Sequence, residues 1–91
     1  MLFMTVYSFP PANRNEVIKR RLTMGPQLSD KVKSVGEWSY LGSGKVFRLI
    51  EANDPEEVYK GSYAWSDLGT VETYPVMPVE EIMRMVSTMM K

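Results

Sequence analysis

Neither cysteine nor histidine occurs among the 91 residues. The first absence excludes disulfides, a thiol nucleophile and thiolate metal sites, and the second removes the commonest general base and the imidazole metal ligand. A Ser-His-Asp triad cannot be built. Charge of one sign is also missing. Eleven Lys and Arg offset eleven Asp and Glu, so no net field gathers phosphates or anionic lipid, and neither nucleic-acid nor membrane-surface binding is expected. Long apolar runs are absent as well. The opening stretch Met1 to Phe9 is far shorter than the ~20 residues of a membrane span, and without a basic leader or cleavage site it reads as mature protein. A cytoplasmic location is the default expectation, although the lack of cysteine would also suit an oxidising compartment. No cofactor is expected.

What is present reads as a folded globule. The chain is 44% apolar with no low-complexity tract, which argues against disorder. Its length suits one domain, residues 1–91, with a core over 1–77 and a helical addition over 78–91.

Leu2 to Phe9 is rich in β-branched and aromatic residues and stops at Pro10-Pro11, which predicts a first strand. Asn13 and Glu16 have capping-box spacing, so a helix is expected over Arg14 to Met24, burying Val17, Ile18 and Leu22 and ending at Gly25-Pro26. Val32 to Leu41 and Lys45 to Ala52 flank Gly42-Ser43-Gly44 as an antiparallel hairpin. Asp54-Pro55-Glu56-Glu57 supplies an N-cap, a proline for the first helical position and two carboxylates for the first turn. That second helix should end near Ser66 to Leu68. Val71 to Met77 is a fourth strand, and Pro75 within it predicts an edge position. In Val79 to Met90, Ile82, Met83, Val86, Met89 and Met90 form a stripe on a third helix, expected to dock on the rest of the chain.

The order strand, helix, strand, strand, helix, strand, helix predicts an α+β fold of ferredoxin-like βαββαβ topology with an added C-terminal helix. Two helices would cover one sheet face. Both alternate sets of the first strand, Leu2, Met4, Val6 and Phe3, Tyr7, Phe9, are apolar, so the other face needs a cover too, and a second sheet is the expected one.

Five segments, in this order, carry a resemblance: the opening strand into Phe9-Pro10-Pro11, Gly36-Glu37-Trp38, Glu51-Ala52-Asn53-Asp54-Pro55, Trp65-Ser66-Asp67, and Glu72 to Val76. Together they resemble the small dimeric α+β-barrel proteins, in particular a family catalogued only as a domain of unknown function. The resemblance implies a homodimer whose two sheets face each other, with a cavity between sheet and helices in each subunit. Relatives of that architecture include cofactor-free monooxygenases, isomerases and haem-handling enzymes, so the fold alone selects no chemistry. The methionine-rich segment after Pro78 lies outside the family pattern.

A small, mainly apolar molecule is the expected ligand, with Trp38, Arg48, Gly61, Ser62, Tyr63 and Trp65 as candidate lining. Arg48 either grips a ligand carboxylate or enolate or pairs with Glu37 on the same face of the hairpin. Gly61 sits mid-helix at about 1 kcal/mol relative to alanine, so the missing side chain either leaves room for a ligand or lets helix and sheet approach closely. The second reading is a cofactor-independent oxygenase, isomerase or decarboxylase acting on an activated carbonyl or aromatic compound, with Glu51 as base and Arg48 stabilising an enolate. Glu51 equally fits a strand end in contact with water. Asp67 either faces a substrate or closes the helix-ending turn. The methionines suit either a soft apolar wall or a core stripe. A third reading is a structural module whose edge strand and third helix serve to make a homodimer.

Overall fold

The computed structural model describes residues 1–90; the last residue of the expected C-terminal addition, Lys91, lies outside them. Four seven-residue strands form one antiparallel sheet: β1 (Leu2–Ser8), β2 (Lys33–Ser39), β3 (Lys45–Glu51) and β4 (Thr70–Val76). Their spatial order is β2-β3-β1-β4, the ferredoxin-like arrangement in which the two crossover helices, α1 (Arg14–Met24) and α2 (Pro55–Trp65), lie on one face. A third helix, α3 (Val79–Met89), follows β4. β4 is an edge strand, as Pro75 predicts.

Local chemistry sets most boundaries. Gly25 ends α1 at φ 72°, and its N–H donates to the Arg21 carbonyl. The Asp54 side chain caps α2 by accepting from the Glu56 N–H, with Pro55 following it. Asn13 departs from the capping box. It sits at the start of α1 without a side-chain cap bond, and its amide donates instead to the Leu68 carbonyl at 2.8 Å, tying α1 to the loop after α2.

Register places the side chains. Thr5 stands between Arg48 and Thr73, and Glu37 stands opposite Arg48. Alternation then puts Phe3, Thr5, Tyr7, Val46, Arg48, Ile50 and Val71 toward the helices, and Leu2, Met4, Val6, Phe47, Leu49, Trp38 and Tyr74 on the outer face. Two buried clusters lie between sheet and helices. Tyr7, Val17 and Trp65 form one, and Val32, Ile50 and Ala52 the other.

Two expected faces differ. Of the α1 residues, only Val17 is buried, while Ile18 is 49% and Leu22 80% exposed. Arg20 and Arg21 take the inward positions instead, because each finds a carboxylate beneath the helix, Asp67 and Glu37. The third helix forms but does not dock. No α3 residue is buried, and neither core cluster includes one. The radius of gyration is 15.5 Å, with a 53 Å long axis, against about 12 Å for a compact domain of this length.

Candidate functional site

Between sheet and helices lies a cavity of about 90 Å³. Its sheet side is formed by Thr5, Tyr7, Val46, Arg48, Ile50 and Val71, and its helix side by Val17, Arg21, Leu28, Val58, Gly61, Ser62 and Trp65. Most of this wall is apolar, as small-molecule sites usually are.

One end is anchored by Trp65. Its ring packs edge-on against Tyr7, with centroids 5.7 Å apart, and its Nε1–H donates to the Pro26 carbonyl at 3.0 Å. The Tyr7 hydroxyl donates to the Trp65 carbonyl at 2.9 Å, which explains why that buried phenol has a partner. Burial, followed by the nearby Asp67 charge, pushes the Tyr7 pKa up. Above the indole, Arg20 lies 5.6 Å from the ring centroid and donates in a fork to Asp67 at 2.7 Å on both oxygens. Asp67 therefore serves to lock α1 onto the end of α2, and the Arg20 guanidinium holds its carboxyl below the usual aspartate range.

The polar part of the wall is built around Glu37. Arg48 donates to its Oε2 through Nε at 2.8 Å and Nη2 at 2.5 Å, and Arg21 donates to the same carboxylate at 2.9 and 2.7 Å. The Arg21 guanidinium, with Arg48 beside it, holds the Glu37 carboxyl below its ordinary range despite partial burial. Only 14% of the Arg48 side chain is exposed. The Arg48–Glu37 pair expected from the hairpin thus exists, and Arg48 also faces the cavity.

Four of the sequence-predicted residues, Arg48, Gly61, Ser62 and Trp65, meet at this cavity. Trp38 does not join them. It lies on the outer sheet face opposite Phe47 and is 56% exposed. Tyr63 does not either, being 69% exposed and tilted beside Tyr59 on the outward side of α2. Glu51 is three residues from Arg48 on one strand, so the pleat turns it to the opposite face, where it is exposed at the strand end. An acid–base device using Glu51 with Arg48 therefore has no shared pocket.

Sequence reading missed Arg21 and Thr5. Arg21 sits four residues after Val17, the spacing of one helical face, so that signal was available. Thr5 had none beyond alternation. Among the described residues no cluster of three or more Asp or Glu is arranged to hold a metal ion, and no helix is long and apolar enough to cross a membrane.

A family model described as Domain of unknown function (DUF3303) matches residues 1–90, so the methionine-rich segment after Pro78, expected to lie outside the family pattern, falls within it. No curated protein and no solved structure matches the chain.

Proposed function

The chain belongs to that family, whose description assigns no activity, and from this premise we propose that it is a homodimeric protein that binds a small, mainly apolar molecule between sheet and helices. The observation that carries the binding reading is the gap at Gly61. A Cβ built there meets only Leu28 Cδ2, at 3.6 Å, so no tight helix–sheet approach requires the glycine. The helix gives up about 1 kcal/mol of propensity at a position that lines the cavity, where a methyl would meet only ordinary van der Waals contact.

This yields a paired prediction. Gly61→Ala raises folding stability by about 0.5–1 kcal/mol, because the added methyl finds ordinary contact and the unfolded chain loses freedom. Gly61→Leu fills the cavity. Under xenon pressure, a probe of dry apolar cavities, the amide signals of Gly61, Ser62 and Trp65 shift in the wild-type protein and not in Gly61→Leu. Unshifted wild-type signals would remove the binding reading.

The dimer rests on a different observation. The outer sheet face carries Leu2, Met4, Val6, Phe47, Leu49 and Trp38, and α3 exposes Val79, Met83 and Met89 at 55% or more. Neither surface has a cover among the described residues. A face of four seven-residue strands measures about 20 by 23 Å, roughly 450 Å², short of the ~800 Å² per partner of a standard interface. The α3 stripe of a second copy supplies much of the remainder. A two-fold pairing covers both surfaces in both chains at once, since each chain offers one of each.

Phe47→Lys tests this without touching the core, since Phe47 faces outward. In light scattering the wild-type protein should show twice the 10.4 kDa chain mass and the variant the chain mass, with folded circular dichroism retained. Equal masses for the two would end the sheet-to-sheet reading.

A further inference from the structure

Beyond the apolar character of the cavity, and resting on the binding reading, we infer that its ligand is a short-chain carboxylate, held by the Arg48 guanidinium with Arg21 at its side. Two guanidiniums converge on the single carboxylate of Glu37, so the group carries one uncompensated positive charge. The donor count gives the same result. Arg48 spends Nε and Nη2 on Glu37, and among the described residues its Nη1 has no protein acceptor. That nitrogen is not sealed in the core, because no buried side-chain nitrogen or oxygen is left without a partner, and Arg48 lines the cavity.

The excess charge is shared between Arg48, whose side chain is 14% exposed, and Arg21, at 43%, and an anion arriving through the cavity restores balance at the less hydrated of the two. Guanidinium N–H groups match carboxylate oxygens in geometry, and such charge-assisted bonds are about twice as strong as neutral ones. Much of the remaining wall disfavours a highly charged or extended anion, since Val17, Val46, Ile50 and Val58 also line the cavity and none of them can pair with a second charge. Size narrows the class further. An apolar cavity of about 150 Å³ accepts benzene, so 90 Å³ suits an apolar body of roughly four carbons.

Isovalerate and its isosteric neutral amide, isovaleramide, provide the test, titrated into the wild-type protein at neutral pH while the Gly61 and Ser62 amide signals are followed. Isovalerate should bind at least tenfold more tightly than isovaleramide. In Arg48→Gln the ratio should fall below threefold, which a purely structural role of Arg48 would not produce. Should that variant not fold, the wild-type ratio decides alone. Equal affinity for acid and amide overturns the carboxylate inference and leaves the apolar cavity standing. So does a protein that answers to xenon but to neither compound, whereas silence to xenon as well removes the binding reading itself.

Discussion

Trp65→Ala is expected to cost about 3–5 kcal/mol of folding stability, the range for removing a buried tryptophan. The indole is 7% exposed and belongs to the cluster with Tyr7 and Val17. Truncation removes the edge-on contact with Tyr7 and takes the Arg20 guanidinium off its ring. It also leaves the Pro26 carbonyl without its Nε1–H donor. A chain of this length has about 5–14 kcal/mol in total, so the variant should sit near the edge of folding at 37 °C. Trp65→Phe separates the contributions. It keeps most of the ring packing and loses the indole donor, which predicts about 1–2 kcal/mol. Urea unfolding followed by far-ultraviolet circular dichroism gives both numbers, and a loss below 1 kcal/mol for Trp65→Ala would mean that α2 is anchored elsewhere. The experiment bears on function because the same ring closes one end of the cavity.

The elements were legible where the chain punctuates itself. Pro10-Pro11, Gly25-Pro26 and Asp54-Pro55 act through backbone rules that hold regardless of tertiary context, and the strand and helix limits fall within a residue or two of them. The hairpin shows how far such rules reach. In the hairpin Trp38 pairs with Phe47 and Ser39 with Val46. Glu37 stands opposite Arg48 and shares the helix side with it, while an irregularity between Ser34 and Gly36 changes the faces only of the residues before it. The face of α1 was not legible from apolar spacing. Arg20 and Arg21 turn inward because their partners lie 47 and 16 residues away, and no local pattern reports such pairs. Asn13 leaves its capping role for the same reason, its acceptor being 55 residues distant.

The cavity was legible only in part. Gly61 and Ser62 signalled a missing volume on the inner stripe of α2, and Trp65 a bulky neighbour. Trp38 and Tyr63 were chosen for their chemistry, and topology turns both outward. The stripe on α3 was read correctly as helical, but periodicity names an apolar face without naming what covers it, and among the described residues nothing does. That gap between pattern and partner is what directs attention to a second copy.

Glu37→Gln should lower stability by about 2 kcal/mol at neutral pH, between the values for an exposed and a buried ion pair, since the Glu37 side chain is 24% exposed. Two guanidiniums lose their shared anion, and one of them, Arg48, is mostly withdrawn from water. For a domain of this size the expected fall in Tm is roughly 8–16 °C. The dependence on pH identifies the cause. Arg21 and Arg48 hold the Glu37 carboxyl below its ordinary value of 4.5, so the folded state binds that proton less readily than the unfolded chain. The stabilisation is then complete above about pH 4.5 and is lost as the pH falls through the lower folded value. The glutamine variant has no such carboxyl to protonate. The gap between the two proteins should therefore stay constant from about pH 6 to 8 and close progressively below about pH 4.5. Thermal melts of both proteins across that range measure it directly. A gap of the same size at pH 3 as at pH 7 would assign the effect to packing around residue 37 and would deny the paired arginines their electrostatic role.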